Sequence, residues 1–250
     1  MVSWTDEALI LGGRRFGEGG LILDVLTKTK GRRAGLVYGG ASRRRRSQLE
    51  AGNTLEVSWS GRLEEQLGRF DVAEATTERA TRLMDDADAL AAISSVTSML
   101  RNVLNEGDAA GSALYDASTI VLDSLDTPEL WPALYVRWEM GLLSALGYGL
   151  ELSTCAISGA NDGLTHVSPK TGRAVKGSEA EEYVDRLLCL PAFLSDSSAI
   201  VTPRSVGDGL ILTGHFLERR IFYAVNKPPP EQRDMLLRRL EKSGLAELVD

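Results

Sequence analysis

Short apolar runs separated by glycine-containing turns characterise the first part of the chain, up to about residue 76. Five short strands in a segment of this length predict a small closed barrel. The five-stranded barrel most often found on nucleic acids is the OB-fold. The runs with the composition of β-strands are Ala8–Leu11, Leu21–Leu26, Leu36–Tyr38, Leu55–Trp59 and Phe70–Ala73.

Beyond Thr81 the apolar residues recur at spacings of three and four, which is typical of helices. A first helix is predicted to end at Gly107, and a second covers Leu114–Leu125. Thr127-Pro128-Glu129 supplies a cap, an N1 proline and an acidic first turn for a third helix, which Gly147 ends.

Between residues 150 and 177 the helical spacing disappears, and a short hairpin is predicted at Leu164–Val167 and Ala174-Val175. Ser178 and Glu181 form a capping box that predicts a helix through Leu188. A further helix opens at Thr202-Pro203 and runs to Val225, and a last one contains Met235–Leu240.

The sequence therefore predicts an α+β chain of two domains. Residues 1–80 form a five-stranded OB-fold β-barrel, and residues 81–250 form a mainly α-helical domain with an irregular loop at 150–177.

Charge separates the two predicted domains. The whole chain has a formal net charge of -7. Residues 1–80 hold 13 Lys and Arg against 11 Asp and Glu, whereas the remainder holds 15 against 24. No acidic residue lies between Asp24 and Glu50, and a basic block in this interval favours a polyanion as partner, although runs of charge are commonly solvated loops. The predicted DNA-binding residues are Lys28, Lys30, Arg32, Arg33, Arg43, Arg44, Arg45 and Arg46.

Aromatic residues in the strand region offer flat surfaces on which bases of a single strand could stack. Phe16, Tyr38, Trp59 and Phe70 are the candidates. The alternative for each of them is a place in the barrel core.

Known catalytic patterns are absent from the sequence: it has no phosphate-binding loop, zinc-protease helix or nucleophile elbow. His215 lies in an apolar helix, where a structural role is favoured, and His166 lacks a partner in sequence. Cys155, His166 and Cys189 do not have the spacing of a closed zinc site. We therefore expect no enzymatic activity, no cofactor and no bound metal.

Two cysteines in 250 residues are not a disulfide framework. With Trp4, Asp6 and Glu7 near its start, the chain does not show a basic and then apolar leader, and no apolar run approaches the length of a membrane span. The expected location is the cytoplasm, in association with the nucleoid.

Two blocks of sequence, one in each predicted domain, resemble the RecO family of bacterial recombination and repair mediators. The first block comprises Asp6–Leu11, Arg15–Glu18, Leu26-Thr27, Gly31, Leu36–Gly40 and Ser42-Arg43. The second comprises Arg137–Glu139, Leu142-Leu143, Leu146–Leu152 and Cys155.

The resemblance implies a protein without turnover that binds single- and double-stranded DNA, anneals complementary strands and associates with RecR. It also implies binding to the acidic C-terminal tail of the single-stranded-DNA-binding protein and, indirectly, the loading of RecA. Many members carry a four-cysteine zinc module in the segment that corresponds to 150–177. Of its ligands we identify Cys155 alone in this sequence, so we expect this loop to fold without metal.

Arg137 is the candidate for binding that tail, because it borders an apolar helical stripe where a hydrophobic peptide ending in a carboxylate could lie. A structural ion pair, for instance with Glu139, is the alternative. At the level of the whole protein, the alternatives to a DNA-binding mediator are a non-catalytic interaction scaffold with incidental nucleic-acid affinity and an uncharacterised enzyme.

Overall fold

A computed structural model describes residues 1–63, 66–108, 110–181 and 184–249, except for the side chains of residues 44, 73 and 74. Compact packing divides the chain into two units. Unit 1 comprises Met1–Asp126 and Pro230–Leu236, and unit 2 comprises Thr127–Pro229 and Leu237–Asp250.

Unit 1 begins with a closed five-stranded barrel of strand order β1-β2-β3-β5-β4. This barrel, followed by a helical region, confirms the predicted fold class. The strands are β1 (Val2–Phe16), β2 (Gly20–Thr27), β3 (Gly31–Val37), β4 (Thr54–Gly61) and β5 (Gly68–Thr77), with the short helix α1 (Arg43–Arg46) between β3 and β4.

Strand β1 is much longer than the predicted run Ala8–Leu11, because its two halves have different partners. Its first half pairs antiparallel with β4, and its second half pairs with β2. Strands β3 and β5 close the barrel by a short parallel pairing of Gly35 with Gly68 and Leu36 with Arg69.

Alternate side chains of the strands point into the barrel and fill it. Two glycines leave room for large rings of the core. A Cβ on Gly68 would be 2.2 Å from Cε2 of Trp59, and one on Gly35 would be 2.4 Å from Cδ2 of Phe70. Leu49, just after α1, packs with this core. The buried core comprises Ala8, Ile10, Leu23, Val25, Val37, Leu49, Leu55, Val57, Trp59 and Phe70.

Arg79 joins the barrel to the helices of unit 1. Its side chain is 2% exposed, and its Nε donates to Asp123 Oδ1 at 2.7 Å. Its Nη1 donates to the carbonyl oxygen of Gly52 and to Thr54 Oγ1, at 2.9 and 2.6 Å. The helices of this part are α2 (Arg79–Arg82), α3 (Ala87–Val103) and α4 (Ala110–Asp123).

Unit 2 is built around the packing of helices α5 (Trp131–Ala145) and α7 (Pro203–Phe216). Inside this pair, the carboxylate of the fully buried Glu139 accepts a hydrogen bond from Thr213. Its other elements are the strands β6 (Leu164–Val167), β7 (Ala174–Lys176) and β8 (Leu188–Cys189), the short helix α6 (Gly177–Ala180) and a π-helix at Leu217–Phe222; helix α8 (Glu231–Ser243) contributes residues to both units.

The structure corrects two predicted helix boundaries. Helix α5 begins at Trp131 rather than after Thr127, because Pro132 takes the first-turn position that was assigned to Pro128. The capping box of Ser178 does not form: Lys176 occupies the N-cap position of α6 without a side-chain capping hydrogen bond, and the helix lasts one turn.

Leu188, the predicted end of that helix, is instead in a strand, because Leu188 and Cys189 pair with β6 to complete a three-stranded sheet. Two other predictions are confirmed: the hairpin of β6 and β7, and the opening of α7 at Thr202, which forms a capping box with Ser205.

Candidate nucleic-acid interface

The predicted basic block is divided between opposite ends of β2 and β3. Lys28 and Lys30 lie in the turn that joins these strands, whereas Arg43–Arg46 follow the other end of β3, where Leu21 pairs with Val37. Strand β2 has 8 residues, and a rise of about 3.3 Å per residue separates its ends by roughly 25 Å. The block is therefore two groups of cations, not one.

Arg32 is bound within unit 1. Its Nε and Nη2 donate to the carboxylate of Asp24 at 2.9 and 2.7 Å, and its Nη1 donates to the carbonyl oxygens of Arg101 and Leu104 at 2.8 and 2.7 Å. The hydrogen bonds to Asp24 are the largest cause of the raised pKa of Arg32. Most of the five N–H donors of this guanidinium are thus paired, and little of it is left for a phosphate. Arg33 is half-buried and packs against Gly107.

The remaining predicted cations are more accessible. Lys28 and Lys30 are exposed, and the Nζ of Lys28 lies 4.0 Å from Glu7. In α1, Arg43 is exposed and Arg45 is half-buried. The side chain of Arg46 is 79% exposed and lies 3.6 Å from Glu50. The side chain of Arg44 lies outside the described part of the structure.

Two of the four candidate aromatics are on the surface, near the end of the barrel from which α1 continues. Phe16 is 50% exposed and Tyr38 is 63% exposed, while Trp59 and Phe70 are buried in the core. The guanidinium carbon of Arg69 lies 5.2 Å from the centre of the Tyr38 ring. The Nη2 of Arg69 also donates to Asp71 Oδ1 at 2.6 Å, in an ion pair whose two side chains are both exposed. An exposed ring beside such a cation is suited to stacking a base.

A groove of about 300 Å³ lies beside this surface, between the second half of β1 and the segment around α1. Arg15 and Arg46 contribute cations to it, Glu50 contributes an anion, and Leu49 is among its apolar lining residues. The hydrogen bond from Ala41 N to the carbonyl oxygen of Gly19, at 3.4 Å, holds the segment that leads to α1 near the β1–β2 turn. We refer to the surface made by Phe16, Tyr38, Arg69, Arg15 and the α1 arginines as the Tyr38 end.

Arg15 and Arg69 were missed as binding candidates by the sequence analysis. Arg15 directly precedes the candidate aromatic Phe16, and this neighbourhood is a usable signal. Arg69 is distant from Tyr38 in sequence, and the β3–β5 pairing brings the two together. Local pattern does not predict that pairing.

In unit 2, Arg137 is exposed on α5 and lines a second groove of about 420 Å³. Its Nη2 donates to the carbonyl oxygen of Phe193 at 2.6 Å, and the guanidinium lies 5.9 Å from the centre of the Phe193 ring. Met140, Leu194 and two serines complete the lining. This arrangement provides a groove of mixed polar and apolar lining with a cation in its wall. The carboxylate of Glu139, in contrast, is buried and bound to Thr213.

The predicted structural role of His215 agrees with its hydrogen bond, in which Nε2 donates to the carbonyl oxygen of Pro169 at 3.1 Å. His166 and Cys189 face each other across β6 and β8. Among the described residues, no group of three or more His, Cys, Asp or Glu side chains could hold a metal ion. Within the same residues, no helix is long and apolar enough to cross a membrane.

Comparison with known proteins gives consistent matches over both parts of the chain. The model of the recombination protein O N terminal domain matches residues 1–79, and that of the C terminal domain matches residues 84–227.

Individual relatives match over nearly their whole length. The DNA repair protein RecO of Hyphomonas neptunium is 66% identical over 239 residues, which cover 96% of this chain and 98% of the relative. The proteins of the same name from Paracoccus denitrificans and Rhodospirillum rubrum are 42% and 39% identical, and each alignment covers at least 97% of both chains.

Proposed function

The chain belongs to the RecO family, and from that premise we propose that it binds DNA at the Tyr38 end of its barrel and anneals complementary strands. A function in DNA repair and recombination follows from the family itself. The observation that carries the finer proposal is the exposed ring of Tyr38 beneath the guanidinium of Arg69, next to the arginines of the groove and of α1.

Annealing requires two phosphate backbones to approach each other against their repulsion. A cluster of arginines lowers that repulsion, and exposed rings hold bases unstacked from their own strand until a complement arrives. The proposed activity needs no nucleophile and no cofactor, and we propose that the protein is not an enzyme.

We further propose that the protein acts at the nucleoid with RecR and with the tail of the single-stranded-DNA-binding protein, and through them on RecA. The groove around Arg137 supports the second of these partners, because an exposed cation beside Phe193 and Met140 matches an acidic peptide with an apolar end.

The DNA proposal is tested by measuring binding to a labelled single strand over a range of salt concentrations. If each of five arginines neutralises one phosphate, the slope of log affinity against log salt concentration is about -3.5. These residues are Arg15, Arg43, Arg45, Arg46 and Arg69. The triple variant Arg43→Ala/Arg45→Ala/Arg46→Ala should flatten the slope by about 2 and slow annealing.

Lys28→Ala/Lys30→Ala is the matched control, since these lysines lie at the other end of the barrel. A triple variant that is folded and keeps the slope and the annealing rate of the wild type would reject the Tyr38 end as the DNA site. Affinity that does not change with salt would favour an interaction scaffold instead.

The peptide proposal is tested with Arg137→Ala, which should weaken binding of an acidic, apolar-ended tail peptide by about 1.5–3 kcal/mol, the contribution of a charged hydrogen bond. Arg204→Ala removes a surface cation from the same unit and serves as control. Affinity for DNA should stay unchanged in both variants. Equal peptide binding by wild type and Arg137→Ala would assign Arg137 a structural role.

A further inference from the structure

Two turns of unit 2 converge on the sulfur of Cys155. Each turn has a pair of positions separated by two residues: Cys155 and Ser158 in the first, Lys176 and Glu179 in the second. The backbone N–H groups of Ile157 and Lys176 donate to Sγ at 3.4 and 3.3 Å. The thiol in turn donates to Oε2 of Glu179 at 3.1 Å.

This spacing and these N–H donors are typical of zinc sites in which two turns supply two cysteines each. The four-cysteine module that the family resemblance implies for this segment does not fit the residues present. Lys176 is a cation whose Nζ binds Asp162 at 2.7 Å, and Ser158 is a weak ligand. One thiol and one carboxylate are left, which is too few for a closed zinc site.

We propose that Cys155, Ser158, Lys176 and Glu179 occupy the four ligand positions of such a module and hold its two turns together by hydrogen bonds and an ion pair, without metal. The fold of this part of unit 2 is then independent of zinc supply. The proposal concerns structure and does not depend on the DNA-binding function.

The polar groups of the cluster bond to one another around the buried sulfur of Cys155, whereas Lys176 and Glu179 are half-buried and Ser158 is exposed. Burial favours the neutral thiol, yet hydrogen bonds from Ser158, Lys176 and Ile157 lower the pKa of Cys155 below its ordinary value. Hydrogen bonds from Ser158 and Cys155 lower the pKa of Glu179.

Apolar side chains pack against Cys155 in the same cluster. Cys155 is 1% exposed and packs with Val175 and Ala180. A metal ion at such a position would replace the polar contacts while leaving this packing in place.

The test restores the missing ligands in the full chain. Ser158→Cys/Lys176→Cys/Glu179→Cys should retain about one zinc ion per chain after exhaustive dialysis, since four thiolates at this spacing complete a tetrahedral site. Its cobalt(II) form should show thiolate charge-transfer absorption. A chelator should lower the melting temperature of this variant and leave that of the wild type unchanged.

The matched control places the same three substitutions at exposed positions of the same unit, as Ser153→Cys/Lys170→Cys/Glu181→Cys. It should bind no stoichiometric zinc. If the first variant does not fold, Ser158→Cys/Glu179→Cys keeps the Lys176–Asp162 pair and should bind cobalt(II) through three thiolates.

Two results would overturn the proposal. Wild-type protein that retains one zinc ion per chain through dialysis would refute independence of metal. Cobalt(II) spectra of the cysteine variants that match the control would refute the assignment of the four ligand positions.

Discussion

Replacing Arg32 by alanine separates a structural role from a DNA-binding role at one position of the predicted basic block. Arg32 binds the carboxylate of Asp24 through two nitrogens, and through a third it binds the carbonyl oxygens of Arg101 and Leu104 at the C-terminal end of α3. Lys30, two residues earlier, is exposed in the β2–β3 turn and is the matched control.

The expected loss of stability in Arg32→Ala follows from the carboxylate of Asp24, which loses its main partner. The side chain of Asp24 is 12% exposed, and without Arg32 it still contacts Arg101, whose Nε lies 3.3 Å away. Breaking a buried ion pair costs about 3–5 kcal/mol. Because the side chain of Arg32 is 24% exposed, water compensates part of the loss, and we expect a cost near the lower limit, about 3 kcal/mol.

The assay is urea unfolding followed by circular dichroism, combined with the salt dependence of DNA binding. With a slope of about 3 kcal/mol per molar urea, Arg32→Ala should lower the unfolding midpoint by about 1 M. Lys30→Ala should leave the midpoint unchanged. An Arg32→Ala variant that is as stable as the wild type but has a flatter salt slope would refute this reasoning and favour a phosphate contact.

Three further predictions concern the packing of each unit. Arg79→Met should destabilise unit 1 by about 3–5 kcal/mol in thermal or urea unfolding, because it leaves the acceptors of a fully buried guanidinium unpaired; an unchanged midpoint would contradict this. Gly68→Ala should cost at least about 1–3 kcal/mol, because its Cβ would overlap the Trp59 ring, whereas Gly19→Ala, with open space around it, is the control for unfolding. Thiol reagents should label the exposed Cys189 in the native state and the buried Cys155 after unfolding; equal labelling rates would show that the cluster opens.

The barrel and the main helices could be predicted from the sequence because their buried faces repeat at strand or helix spacing. Leu21–Leu26 is an apolar run interrupted at Asp24, and it lies within β2, which is buried along most of its length. The ends of β1 could not be predicted in the same way, since residues such as Arg14 and Arg15 are exposed and polar there. Their strand conformation comes from cross-strand pairing with β2.

The residue types of the candidate site could be predicted from the sequence, but their surroundings could not. The exposed rings were among the four aromatics considered, but sequence alone does not distinguish Tyr38 from Trp59. Charge density, likewise, did not reveal that Arg32 faces Asp24, because the pairing of β2 with β3 brings these residues to neighbouring positions. Contacts between strands decide which aromatic ring is exposed and which arginine is in an ion pair.

The short pairing of β3 with β5 is the weakest of the strand pairings that close the barrel. Two residue pairs hold it, whereas the register of β2 with β3 includes seven. Local opening of a sheet costs least where fewest contacts break, so amide hydrogens at this pairing should exchange with solvent faster than those of β2. Tyr38 directly follows β3 and Arg69 lies in β5, so the two residues lie on opposite sides of this pairing. On the proposed function, a DNA strand that contacts both residues bridges this pairing and should slow the exchange of its amide hydrogens.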